Sequence, residues 1–210
     1  MVCWSCEKNA GEGVTCVGCG AVQPPDRSAD FFAVLGQPRR FAIDLGAVEK
    51  RYKDLTRILH PDRFARADAR ARRASLARSV QLNEAWRTLK DPVKRAEYLL
   101  ALSGIEVGGE EGTVRRSAAG KERVPVPQAL LMEVMELREG LLEARGEAVA
   151  ALVATVQGRR DQALARAAAA LDADPARPDE AAAALVAVRY YDRFLEEAAT
   201  PRGAEQVHAG

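Results

Sequence analysis

Two groups of residues in this 210-residue chain have types and spacings suited to chemistry. The first is the set of four cysteines, Cys3-x-x-Cys6 and Cys16-x-x-Cys19, all within the first nineteen residues. A CxxC turn aims two sulfurs at one point, and two facing turns supply a tetrahedral tetrathiolate metal site. Gly11 and Gly13 between the pairs allow a tight return. Zinc is the expected ion, and iron held as in rubredoxin satisfies the same ligands, because ligand type and geometry do not separate them. With sulfur in every position, no place is left for a catalytic water. Disulfide or redox chemistry is the competing reading, and the doubled spacing together with a reducing cytosol argues against it. The second group is His60-Pro61-Asp62. Pro61 stiffens the segment and ends any helix at His60, and Asp62 offers an acceptor to an arginine of a partner. No nucleophile or second base accompanies them, so a catalytic pair is not expected.

These residues need elements to hold them. Residues 1–25 carry too few apolar side chains for a core, so metal must nucleate a small zinc-ribbon-like module. Beyond the hinge Gln23-Pro24-Pro25-Asp26, Asp30 caps a short helix that Gly36 and Pro38 stop. Asp44 caps a second. At about 100° per residue, its Val48, Tyr52, Leu55 and Leu59 share one face, while Lys50, Lys53 and Arg57 form a stripe opposite. That stripe is either a steering surface for an acidic partner or a solvated helix face. A third helix over about 67–90 carries Leu82, Trp86 and Leu89 at helical spacing, and Asp91-Pro92 opens a fourth that ends near Leu102.

Residues 104–126 are rich in glycine and charge and read as a linker. Pro127 then opens a helix whose Leu130, Val134, Leu137 and Leu141 form a core stripe. Leu131, Met132, Met135, Glu136 and Glu139 occupy an arc nearly opposite, so this helix either presents apolar side chains to a partner or is sandwiched by its neighbours. Helices over about 147–171 and 179–199 follow, parted by Asp174-Pro175-Ala176-Arg177-Pro178. Ala184, Val188, Tyr191 and Leu195 form the core stripe of the last, with Arg189 and Tyr190 pointing away. The expectation is a mainly α chain: module 1–25, helical hairpin 28–103, linker 104–126, antiparallel three-helix bundle 127–200, and flexible tail 201–210.

Composition agrees with helices and restricts partners. Hydrophobic residues make up 48% and aromatics only 5%, which disfavours a sheet-rich fold. Lys and Arg number 31 against 30 Asp and Glu, a net charge of +1 that lacks the cationic excess nucleic acid or an anionic membrane requires. Between Met1 and Val22 the only basic residue is Lys8, so the cysteine module has no phosphate-binding surface. No apolar run approaches the roughly 18 residues of a membrane span, and the amino terminus has no signal pattern, so a cytoplasmic protein is expected.

Two helices joined at HPD, with a basic stripe before the loop, resemble the J-domain. FFAVLGQPRRFAIDLGAVEKRYKDLTRILHPDRF, then NEAWRTLKDPVKRAEYLL, then LLMEVMELRE, are similar to the HscB family of iron–sulfur cluster assembly co-chaperones over roughly residues 30–200. The resemblance implies that His60, Pro61 and Asp62, with Lys50, Lys53 and Arg57 nearby, contact an HscA- or DnaK-type chaperone and stimulate its ATPase. It further implies that Leu131, Met132, Met135, Glu136, Glu139, Arg189 and Tyr190 bind an IscU-type scaffold, with no enzymatic activity in the chain itself. The sequence departs from the family in two places. VPVPQAL replaces its usual acidic and aromatic lead-in, and Trp86 stands where tyrosine is common, a change of packing only. The tetracysteine module resembles one found in eukaryotic and some bacterial relatives. The alternatives are a general J-domain co-chaperone that delivers unfolded chains, and a metalloprotein that uses the cysteine site directly.

Overall fold

A computed structural model describes residues 1–26, 28–108, 113–116, 123–124 and 126–200. The tail expected at 201–210 lies outside them. The chain divides into two compact units, Met1–Arg95 and Ala96–Gly210, and the boundary falls inside a helix.

In the first unit, α1 (Phe31–Val34) starts where the Asp30 carboxylate accepts from the Ala33 N–H at 2.7 Å. The same carboxylate pairs with Arg39. Gly36 then turns the chain in the left-handed region at φ 66°, open to glycine without a Cβ penalty. α2 (Leu45–Leu59) is capped by Asp44, which accepts from the Ala47 N–H at 3.0 Å. A single 3₁₀ turn, Pro61–Phe64, leads to α3 (Ala69–Lys90), where Asp68 accepts from the N–H groups of Arg70 and Ala71. Val48, Leu55 and Leu59 of α2 are buried, as are Leu82, Ala85 and Leu89 of α3, so the two apolar stripes close into a hairpin. Tyr52 and Trp86, expected in the core, are half-buried and stacked at 5.1 Å between centroids. α4 (Pro92–Leu102) follows.

The cysteine segment is not a separate body. It packs with the J-like helices in one unit: the Arg70 guanidinium lies 4.9 Å over the Trp4 ring, and Arg78 donates to the carbonyls of Gln23 and Pro24, both at 3.0 Å. The boundary expected at residue 25 is a change in composition rather than a break in packing.

The second unit corrects the linker. β1 (Ile105–Gly108), β2 (Thr113–Arg116) and β3 (Arg123–Val124) form an antiparallel sheet in the order β1-β2-β3, with Val107 opposite Val114 and Val114 opposite Val124. Ile105, Val107 and Val114 are buried, because alternate residues of a strand face one side and here that side meets a helix. The strands carry only four large apolar residues, Ile105, Val107, Val114 and Val124, spread among glycine and charge, too weak a period to distinguish from a linker. α5 (Gln128–Glu143), α6 (Glu147–Leu171) and α7 (Pro178–Ala198) complete the expected three-helix bundle. Arg159 of α6 bonds Glu133 of α5, and Leu152 approaches Gly140, so those helices are antiparallel. Tyr191 bonds Glu133 and Arg138 pairs with Glu197, so α5 and α7 run parallel. α7 touches α5, α6, β1 and β2, which explains why its buried face is wider than one stripe and runs continuously from Ala184 to Val188. Leu195, expected in that core, is half-buried.

Candidate functional site

The four cysteines form one cluster built from two equivalent turns thirteen residues apart. The N–H of Cys3 bonds the carbonyl of Lys8, and that of Cys16 the carbonyl of Ala21. Glu7 N–H returns to Cys3, and Gly20 N–H to Cys16. Val2 bridges Asn9 as Thr15 bridges Val22. The residue after each pair lies in the left-handed region, Gly20 at φ 73° without strain and Glu7 at φ 60° with a Cβ to accommodate. The Sγ atoms all lie within 4.8 Å of one another, with Cys3 to Cys19 at 3.7 Å and Cys6 to Cys16 at 3.8 Å. A tetrahedron with metal–sulfur bonds of about 2.3 Å has edges of about 3.8 Å, whereas a disulfide needs about 2.05 Å, so the set is a metal cage rather than a pair of bridges. N–H groups of Ser5 and Gly18 and the Gln23 amide point at the sulfurs of Cys3 and Cys16, as thiolate ligands require. Burial pushes the Cys3 thiol up, but the N–H donors of Cys6 and Ser5 and the neighbouring thiols outweigh it and bring it down to about 6. At Cys6 the Lys8 N–H lowers the pKa, while burial and the other three thiols push it up to about 11. Crowded sulfurs resist sharing negative charge, and a cation relieves that.

His60, Pro61 and Asp62 stand exposed at the end of α2. His60 adopts the extended backbone that a following proline favours, and its Nδ1 accepts from the Asp62 N–H at 3.3 Å. The Asp62 side chain is 90% exposed and open to an incoming donor, with one carboxylate oxygen 3.5 Å from the His60 Nδ1. Serines of α3 hold the loop from beneath: Ser75 and Ser79 donate to the Leu59 carbonyl at 2.7 and 3.1 Å. That carbonyl is an orphan of the helix end, since the Arg63 N–H bonds His60 instead. The sequence reading missed both serines; two hydroxyls one turn apart on the face of α3 toward α2 were the signal. Lys50, Lys53 and Arg57 are exposed on one face, as expected, but Lys53 already pairs with Glu49 at 2.6 Å and Arg57 with Asp54 at 3.5 Å.

On α5, Leu130, Val134, Leu137 and Leu141 are buried while Leu131, Met132 and Met135 are 38%, 56% and 62% exposed. Among the described residues nothing covers this face, so the sandwiched alternative fails. Glu136 and Glu139 are exposed beside it. Leu142, missed from sequence, is 68% exposed and projects within about 20° of Leu131, which lengthens the apolar stripe to about 16 Å. Beyond Glu136 a polar recess opens, where Glu133 accepts from Arg159 at 2.8 Å and from the Tyr191 hydroxyl at 2.7 Å. Burial, then the bond to Glu133 and its charge, push Tyr191 up to about 12. The structure does not leave Arg189 free on the surface. It is half-buried and donates twice to Glu97 of α4, at 3.0 and 2.7 Å. Tyr190 is half-buried with Arg193 6.0 Å from its ring.

Comparison with known proteins gives two family matches, one in each half of the chain. The DnaJ domain family model covers residues 30–98, and the HSCB C-terminal oligomerisation domain covers 126–199. The crystal structure of human co-chaperone protein HscB superposes with a TM-score of 0.78 over 94% of this chain and 96% of that one, at 29% identity. The chain belongs to the HscB family. Mouse iron–sulfur cluster co-chaperone protein HscB is 33% identical over 165 residues, 76% of this chain and 66% of that protein. The HscB homolog of Aromatoleum aromaticum is 42% identical over 120 residues, 57% of this chain and 62% of that one. The matches therefore span a little under two thirds of these curated relatives. Within the HscB family matches, the DnaJ part contains His60, Pro61 and Asp62, and the C-terminal part contains the exposed face of α5 and Arg189. The cysteine cage precedes both, and the sheet falls between them.

Proposed function

We propose that the chain is a co-chaperone of iron–sulfur cluster assembly, an ATPase activator rather than an enzyme. In this reading residues 28–103 recruit an HscA- or DnaK-type chaperone through His60, Pro61 and Asp62, and residues 127–200 hold an IscU-type scaffold. The observation that carries it is the coexistence, in one chain of this family, of an exposed, internally braced HPD loop and an exposed Leu/Met stripe edged by carboxylates. Neither belongs on a protein without partners, since large apolar side chains rimmed by charge are a recognition surface.

The physical division of labour follows. Asp62, with its rigid proline neighbour, presents a carboxylate to an arginine of the ATPase. The ion pairs of Lys53 and Arg57 are exposed, worth about 0–1 kcal/mol each, and so are readily exchanged for acidic groups of the partner. Lys50 adds to the same field. On α5, Met132 and Met135 adapt to an irregular partner surface, while Glu136 and Glu139 set its register by charge. Arg189 acts by anchoring α7 to Glu97, and Tyr190 lies beside it. Zinc is the ion we assign to Cys3, Cys6, Cys16 and Cys19, in a structural role suited to a reducing cytoplasm. No step passes through it.

Asp62→Asn is expected to abolish stimulation in a steady-state ATPase assay while calorimetry shows unchanged scaffold binding. Leu131→Ala/Met132→Ala/Met135→Ala is expected to do the reverse, weakening scaffold binding by about 2–4 kcal/mol with helix content retained. Stimulation by the Asp62 variant, or unaltered affinity in the triple variant, removes the corresponding half of the reading.

A further inference from the structure

The junction between the cysteine module and α3 is a built groove that the proposed co-chaperone role does not use. Its volume is about 560 Å³, and its walls are Trp4, Pro24 and Pro25 on one side and Ala74 on the other, with Arg70 and Arg73 at the rim. Three bonds fix the walls. The Trp4 indole N–H donates to the Val22 carbonyl at 2.7 Å, and half-buried Arg78 donates to Gln23 and Pro24.

The surrounding charge is one-sided. Residues 62–78 contain six arginines and two aspartates, and the carboxylate of Asp68 is engaged in capping α3. Among the described residues none of Arg66, Arg70, Arg72 and Arg73 has a carboxylate partner, whereas on α2 Lys53 and Arg57 both do. A cluster of four arginines without carboxylate partners therefore lies at the start of α3, over an apolar groove. Arg70 is held by stacking on Trp4, which leaves the in-plane N–H donors of its guanidinium for an anion.

We propose that this groove binds an acidic peptide segment of a partner protein, with one apolar side chain seated on Trp4, Pro24, Pro25 and Ala74 and its flanking carboxylates on Arg70 and Arg73. A peptide is favoured over nucleic acid because one face of the Trp4 ring is covered by Arg70 and is lost to base stacking. Docking is through side chains rather than an added strand, because Pro24 and Pro25 have no N–H to offer a strand edge. The site belongs to the module and α3 together.

The test uses the full metal-loaded chain and a fluorescein-labelled peptide of about twelve residues, Asp and Glu around one central Phe, read by anisotropy. Arg73→Glu is expected to weaken binding about tenfold and Arg70→Glu/Arg73→Glu further, with the charge-matched control Arg87→Glu/Lys94→Glu, outside the groove, within about twofold of wild type. Central Phe→Ala in the peptide lowers affinity about fivefold or more, and raising salt from about 50 to about 200 mM weakens it further. Trp4 emission unchanged in Arg73→Glu shows the groove intact in that variant. Wild-type affinity in Arg73→Glu, an equal loss in Arg87→Glu/Lys94→Glu, or displacement of the peptide by a single-stranded oligonucleotide at lower concentration than by unlabelled peptide overturns the proposal.

Discussion

The HPD loop rests on a carbonyl that its own helix cannot satisfy. Leu59 is 1% exposed, and its C=O accepts only from Ser75 and Ser79 among the bonds described. Either hydroxyl alone meets the need, so Ser75→Ala or Ser79→Ala should cost about 0–1 kcal/mol, a net hydrogen bond of about 0.5–1.5 kcal/mol less the better helix propensity of alanine. Removing both strands a buried acceptor, which costs about 1–3 kcal/mol, so the double variant should lose more than the sum of the singles. Both tryptophans, Trp4 and Trp86, lie in the Met1–Arg95 unit, so urea unfolding followed by tryptophan fluorescence reports on this unit. Because the bond anchors the residue before His60, the double variant should also stimulate a DnaK-type ATPase less well at a temperature where it remains folded. A double variant within about 0.5 kcal/mol of wild type would refute the bracing argument.

Other outcomes follow from the geometry. Arg189→Ala should lower the stability of the C-terminal unit by about 1 kcal/mol, because its two bonds to Glu97 are only partly shielded, and Glu97→Ala should match it; unaltered urea midpoints by circular dichroism would return Arg189 to the surface. Tyr191 is raised to about 12 in the folded chain, so its contribution is full below pH 10 and is lost as pH rises through 12. Tyr191→Phe should flatten that fall, and equal slopes for both proteins between pH 9.5 and 11.5 would contradict the shift that burial and Glu133 together impose on Tyr191. Chelation at neutral pH should release about one metal ion per chain and red-shift Trp4 emission while the α5–α7 bundle keeps its helical signal. An unchanged spectrum would mean that the two turns stand without metal.

Most of the helical skeleton was legible in the sequence because each signal is local. Asp30 and Asp44 precede helices they cap, Pro61 and Pro178 mark ends and starts, and the apolar stripes of α2 and α5 repeat at the helical period over many residues. The exposed face of α5 follows from the same arithmetic, since burying Leu130, Val134, Leu137 and Leu141 must turn Leu131, Met132 and Met135 the other way. The cysteine cage is legible for a similar reason, the spacing within each pair being the geometry of the turn.

The remainder depended on partners distant in sequence. A few apolar residues scattered in a stretch of glycine and charge become a sheet only because α7 offers them a face, so residues 104–126 read as a linker until the helix is in place. Arg189 sits off the core stripe of its own helix, and only α4, ninety-two residues earlier, turns it into a tie to Glu97. The docking of the cysteine module on α3 through Trp4 and Arg70, and the bracing of the HPD loop by Ser75 and Ser79, likewise have no local period. Sequence determined the helices, the cage and the two presenting surfaces, since these arise from spacing within a few turns. Tertiary structure decided which polar side chains are bound and which are free, since that depends on what packs opposite.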